Sequence, residues 1–315
     1  MIGIALLTFG SAVTADDVPE YLRSVRGGRQ VPVGVTEEFQ RRYRRIGRSP
    51  LVEITLAQGA ALQALLDAEH GTGAFNVEVG MLHSEPRAAV AIDRLIAARP
   101  ERLIAVVLAP QYSPIILAGY ERAIDEARQA HAELDIDIAG AWHTMREWTD
   151  SLARRLTDAV ERLPTATREH IPIIFTAHSL PRAVVDRDPG YIDQLRETAD
   201  AVAQRAGLPE GRWSFAYQSA GHTSEEWLTP DVKDLLPELA ERGVRDVLVV
   251  PVQFVADHLE ILYDIDVAAA EEARAHGITL HRIEMPNTSP AFIRTLAAVV
   301  NREMGVSSKA KSASP

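Results

Sequence analysis

Short apolar runs alternate with longer amphipathic stretches along almost the whole chain. Runs of four to seven residues at 2–8, 75–81, 103–108, 171–176, 213–217, 247–250 and 279–283 predict strands. Apolar positions at helical spacing predict helices over 17–26, 54–69, 87–98, 115–132, 144–162, 191–206, 232–242, 257–276 and 290–304. Strand–helix alternation at this interval predicts an α/β fold with parallel sheets joined by right-handed crossovers. The runs Ile104-Ala105-Val106-Val107-Leu108 and Val247-Leu248-Val249-Val250 are continuously apolar, as strands buried on both faces must be.

The elements fall into two blocks, split by the helical stretch around 141–163, and the domains are expected at 1–142 and 143–287. No internal sequence repeat relates them. The last helix, about 288–304, has no strand after it and is expected to pack back on the first block, with 305–315 as a disordered tail. The apolar start 1–9 reads as a buried strand rather than a signal peptide, because the first basic residue is Arg23. The apolar stretch 103–119 is broken by Pro110 and Pro114 and is too short to span a bilayer. A cytoplasmic monomer without a membrane span is expected.

Composition narrows the chemistry. The chain has no Cys, which removes disulfides, zinc–thiolate sites, iron–sulfur clusters and Cys nucleophiles. Its 33 Lys and Arg stand against 44 Asp and Glu, a net charge of −11, the wrong sign for a general nucleic-acid binder. There is no G-x-G-x-x-G after the first strand and no phosphate-binding P-loop. Against the acidic background, Arg23, Arg26, Arg29, Arg41, Arg42, Arg44, Arg45 and Arg48 cluster with only Glu37 and Glu38 opposing them. A guanidinium fork suits carboxylates or phosphates, so the cluster fits either an anionic substrate or a helix surface paired with acidic neighbours.

In open α/β sheets ligands bind beyond the carboxyl ends of the strands. Those exits carry His83, then Gln111 and Tyr112, then His178 and Ser179, then Gln218 and His222, then Gln253, Asp257, His258 and Glu260. An imidazole and a carboxylate such as His178 and Glu260 can bind a divalent metal or relay protons. Glu260, Asp264 and Ala268 stand at i, i+4 and i+8 of the expected helix, so the two acids share a face. Spacing alone leaves that face balanced between a path for a hydrated cation and an ordinary solvated surface.

Three long motifs in order make the sequence resemble the ferrochelatases. They are Thr176-Ala177-His178-Ser179-Leu180-Pro181, then Tyr217-Gln218-Ser219-Ala220-Gly221 with Trp227-Leu228-Thr229-Pro230, then the run from Phe254 through Asp257-His258-Leu259-Glu260 to Asp266. The resemblance implies two Rossmann-like domains with a porphyrin cleft between them, and insertion of ferrous iron, most simply into coproporphyrin III, in haem biosynthesis. It implies His178 and Glu260 as the iron-binding, proton-handling pair, Asp264 as an outer metal ligand, and Arg26, Arg42, Tyr43, Ser49 and Tyr120 as porphyrin contacts. Fe²⁺ is substrate, no tightly bound cofactor is implied, and protein partners are limited to transient contacts with other haem-pathway enzymes. The sequence departs from the coproporphyrin enzymes at Phe9, where they place a Tyr that ligates the iron, and at Ala268, where the family often has Glu. With Phe9, His178 or water is expected to ligate the product iron. A protoporphyrin IX ferrochelatase, a cobalt or nickel tetrapyrrole chelatase, and a non-catalytic porphyrin or haem carrier remain alternatives.

Overall fold

The computed structural model describes residues 1–221 and 225–310, with side chains of the last helix described as far as Gly305. The expected site-side residue His222 and the end of the tail, 311–315, lie outside the described residues. The chain divides into two compact units: residues 1–110, 116–142 and the chain from 287 onward, and residues 111–115 with 143–286.

Each unit is built on a four-stranded sheet. In the first, β1 (Ile2–Thr8), β2 (Phe75–Met81), β3 (Arg102–Val107) and β4 (Asp135–Ile138) lie in the order β2-β1-β3-β4. All its pairings are parallel, with Ile2 registered on both Phe75 and Arg102. In the second, β5 (Ile173–His178), β6 (Trp213–Gln218), β7 (Asp246–Pro251) and β8 (Thr279–Arg282) repeat the pattern as β6-β5-β7-β8, again parallel. The likeness of the two blocks is thus one of topology, without a sequence repeat. In both, the chain turns back on itself beside the first strand, so the exits of β1 and β3, and of β5 and β7, flank the point where strand order reverses.

The apolar start is the central strand β1, buried from Gly3 onward. β4 was not legible in the pattern. Its four residues alternate Asp with Ile, and the strand is an edge held through Arg102, which donates to Asp137 from Nε at 2.9 Å and Nη2 at 2.5 Å. A second unpredicted element is the helix Val33–Ile46, whose one fully buried residue is Tyr43. Its exposed face is held by Glu38, which accepts from Arg41 three residues on and Arg42 four residues on, at 2.8–2.9 Å.

The C-terminal helix Pro290–Ala310 packs on the first unit. Arg302 donates to the carbonyls of Ala141 and Gly140, and Phe292 lies 6.3 Å from the Trp142 ring. The helix continues to Ala310, into the stretch 305–315 expected as a tail. The helix Leu51–His70 reaches the length and mean hydropathy of a membrane span, a feature overlooked in the sequence. It packs on β2 and on the C-terminal helix, and Gly59 lets it approach so closely that a Cβ there would lie 2.4 Å from Val79 Cγ2.

The expected single helix over 257–276 is three pieces: an α-turn Leu259–Leu262, a π-helical turn Asp264–Ala269 and an α-helix Ala270–Ala275. The Ala268 N–H reaches Tyr263 O at 2.8 Å, an i−5 bond. Such π-turns are frequent at functional sites. Ile261, Ile265 and Met285 pack against Val249 and fix this segment to β7.

Candidate active site

In the second unit the candidate chemistry gathers at the ends of β5, β6 and β7. His178 is the last residue of β5, where parallel pairing places it opposite Gln218. Its backbone N–H donates to Gln253 Oε1 at 2.8 Å, and Gln253 Nε2 donates to the buried Tyr191 hydroxyl at 2.6 Å. The imidazole Nδ1 lies 2.5 Å from Ser179 O. A carbonyl only accepts, so Nδ1 carries the proton and the lone pair of the neutral ring is on Nε2.

Gln218 joins this strand end to Glu260. Its Oε1 accepts from Thr176 Oγ1 at 2.7 Å, its carbonyl accepts from the Ser179 N–H at 2.7 Å, and its Nε2 donates to Glu260 O at 3.2 Å. The following Ser219 holds a left-handed φ of 63°, costly for a residue with a Cβ.

The Glu260 side chain meets His258, which the sequence placed at the same strand exit without pairing the two. His258 Nδ1 lies 3.0 Å from Ala256 O, and its Nε2 lies 3.2 Å from Glu260 Oε2. Both neighbours are acceptors. A proton placed between ring and carboxylate would make the contact with Glu260 attractive. The Phe254 ring, edge-on at 4.5 Å, limits water on one side of His258.

The acidic face read from the sequence is corrected by this geometry. The π-turn breaks the i, i+4 register of Glu260 and Asp264, and Asp257 lies in the loop ahead of the helix rather than a turn earlier on it. Two of the acids also have a cation of their own. Arg282 Nε and Nη2 grip Asp266 Oδ1 and Oδ2, each at 2.8 Å, while Nη2 reaches Asp257 at 3.3 Å and Nη1 donates to Ile283 O at 2.8 Å. Among the described residues no group of three or more His, Asp or Glu side chains is placed to hold a metal ion.

The first unit carries the other five candidates. Gly10, at φ 91°, ends the turn after β1, and a Cβ there would lie 2.6 Å from Ser84 Oγ. The next residue, Ser11, is a hub. Its Oγ stands 2.7 Å from Ala12 O, 2.8 Å from the Tyr43 hydroxyl and 3.0 Å from Ser49 Oγ, tying Tyr43 and Ser49 together. Tyr43 and Ser49 are each 1% exposed. Tyr120, in the helix Pro114–Ala130, is also buried, and burial drives its phenol well above the ordinary value. Arg26 is exposed just beyond the helix Val18–Val25, beside Arg23 and Arg29. Arg42 is held by Glu38 and lies 5.6 Å over the Phe39 ring. Two guanidinium groups on one carboxylate pull Glu38 from 4.5 to about 2. The patch is therefore partly neutralised from within, which counting charges along the sequence could not show.

The profile of the ferrochelatase family matches residues 1–304. A ferrochelatase of Deinococcus radiodurans is 37% identical over 305 residues, 96% of each chain. A coproporphyrin III ferrochelatase of Geobacillus thermodenitrificans is 33% identical over 305 residues, again 96% of each. In fold, the chain is similar to the sirohydrochlorin chelatase SirB of Bacillus subtilis subspecies spizizenii, at a TM-score of 0.60 and 12% identity, covering 98% of this chain and 97% of that one. Three motifs in sequence order, two parallel sheets of the same topology and a match over nearly the full length agree: the chain belongs to the ferrochelatase family, lyase-class enzymes that insert iron into a porphyrin.

Proposed function

We propose that this enzyme inserts ferrous iron into coproporphyrin III, with His178 as the iron and proton acceptor and Glu260, paired with His258, as the group that takes protons onward. The observation that carries the assignment of roles is the placement of two imidazoles, one against Ser179 O and the other against the Glu260 carboxylate. His178 has its proton held at Nδ1 by Ser179 O, leaving Nε2 as a base or ligand. His258 Nε2 lies 3.2 Å from Glu260 Oε2, a spacing over which one proton can pass.

The reaction must remove two pyrrole N–H protons and strip water from Fe²⁺. Nε2 of neutral His178 can coordinate the incoming metal or accept a proton. The charge that then develops is offset by the Glu260 carboxylate. Gln218 and Gln253 hold the backbone of both residues, so little reorganisation is needed at the moment of transfer.

Substrate choice is argued from charge. Coproporphyrin carries four propionates and protoporphyrin two, so on a chain of net charge −11 the former needs more local cations. The exposed Arg23, Arg26 and Arg29 beside Arg42 supply them, and Arg42 can exchange its Glu38 partner for a propionate. Several relatives named as coproporphyrin III ferrochelatases support the same choice. Protoporphyrin is the second reading, favoured by Phe9 in place of the tyrosine of the coproporphyrin enzymes.

Anaerobic insertion assays on both porphyrins test the choice. Arg26→Ala with Arg42→Ala should raise the KM for coproporphyrin more than that for protoporphyrin, and the difference should shrink with salt. Equal losses, or a wild type faster on protoporphyrin, would reverse the substrate assignment. No iron insertion into either would remove the catalytic roles as well.

A further inference from the structure

With no three-residue metal cluster among the described residues, a metal held here needs most of its ligands from the substrate. A porphyrin gives four nitrogens and leaves axial positions open. Phe9 cannot fill one, yet it is 44% exposed, the one aromatic among the large apolar side chains left open to solvent in the described residues. Its neighbour is an imidazole. The pairing of β1 with β2 runs on past the strands, with Leu82 N–H on Thr8 O at 3.1 Å and His83 N–H on Phe9 O at 2.9 Å. This brings the His83 ring edge-on against Phe9, centroids 4.5 Å apart at 62°.

The ring is also pinned. His83 Nδ1 lies 3.0 Å from Ser24 Oγ, which itself accepts from Arg87 Nη1 at 3.1 Å, and Arg87 Nη1 donates to Leu82 O at 2.8 Å. With Nδ1 engaged, Nε2 is the ring nitrogen left to take a ligand. Burial, and after it the nearby Arg87 charge, lower the proton affinity of His83 and favour the neutral, ligating form.

We infer that His83 Nε2 is the first unit's axial ligand to the iron of the porphyrin product, in place of the absent phenol at position 9, with Phe9 as the apolar surface beside it. The inference rests on the iron-insertion reading. It implies a neutral nitrogen ligand where a phenolate would otherwise be, which favours the ferrous over the ferric state.

The test uses the full chain saturated with iron(III) coproporphyrin, read by absorption, electron paramagnetic resonance and resonance Raman spectroscopy. The wild type should show imidazole ligation, and His178→Ala should keep it. His83→Asn, which retains a polar group for Ser24 but cannot ligate the same way, should lose it, and Phe9→Tyr should add phenolate character. Ser24→Ala should shift the iron–imidazole stretching band, and it serves if His83→Asn does not fold. A wild type without imidazole ligation or without a product complex overturns the inference. So does a spectrum unmoved by His83→Asn or by Ser24→Ala, or one whose imidazole signature vanishes in His178→Ala. Turnover of the wild type with Fe²⁺ is measured in parallel. Insertion with an unmoved spectrum defeats only the His83 ligand, whereas no insertion defeats the function it rests on.

Discussion

Replacing Arg282 with Met tests the finding that the acidic π-turn is neutralised by a cation of the protein's own. The side chain is 15% exposed, and it makes two bonds at 2.8 Å to Asp266, one contact at 3.3 Å to Asp257 and one bond to a main-chain carbonyl. A charged hydrogen bond contributes about 1.5–3 kcal/mol when partly desolvated and under about 1 when exposed. Asp266 is 34% exposed, so the lower end applies to the fork. Met removes the fork and leaves the Asp266 carboxylate without it, and we expect a loss of about 2–3 kcal/mol. At about 2–4 °C per kcal/mol that is roughly 4–12 °C in the unfolding of the second unit. Arg282→Lys keeps the charge but not the fork and should lose about half as much. Adding Asp266→Asn to Arg282→Met should recover about 1 kcal/mol by removing a stranded charge. Asp257 directly precedes His258, so turnover should fall by about tenfold as the segment carrying His258 and Glu260 loosens. Urea unfolding and iron-insertion rates on the four proteins provide the readout. A cost of Arg282→Met below about 0.5 kcal/mol, or no recovery in the double variant, would refute the clamp.

Other expectations can be checked by similar means. On the proposed roles, His178→Ala should cut insertion by at least about a hundredfold while porphyrin affinity, followed by fluorescence, stays within a few-fold. Glu38, held at about 2 in the folded chain against 4.5 ordinarily, contributes stability present above pH 4.5 and lost as pH falls toward 2. Glu38→Gln should therefore lower stability at pH 7 by at most about 1 kcal/mol, because the pairs are partly exposed, and the gap to wild type should close between pH 4.5 and 2 in urea titrations. Gly80→Ala would put a Cβ 2.6 Å from Ala88 Cα and 3.0 Å from Ala91 Cβ, pushing the helix Ala88–Ala97 off β2. Calorimetry should show a loss of about 1–3 kcal/mol, with insertion activity retained below the shifted melting temperature.

The central strands β1, β3, β5 and β7 were legible because a strand buried on both faces of a parallel sheet has to be apolar along its length, and that requirement is written in consecutive residues. The edge strand β4 escaped because only alternate residues of an edge need be apolar, and Asp135 and Asp137 can be balanced by Arg102. The helix Val33–Ile46 escaped because it buries one side chain fully and owes its exposed face to charge pairs, which hydrophobic periodicity does not register. His178 and Glu260 were singled out by motif order and resemblance. Their states were not legible, because a proton's position depends on which acceptor lies within 3 Å, and Ser179 O, Ala256 O and Gln253 take up their places only when β5 and β7 are paired. The acidic face was misread for the same reason. Regular α-helical spacing was assumed, whereas a π-turn resets the register and Arg282, sixteen residues beyond Asp266 in the chain, arrives on the next strand to neutralise it. Burial patterns are local and survive in one dimension. Electrostatic partners are set by distance in space, and only the folded sheet brings them together.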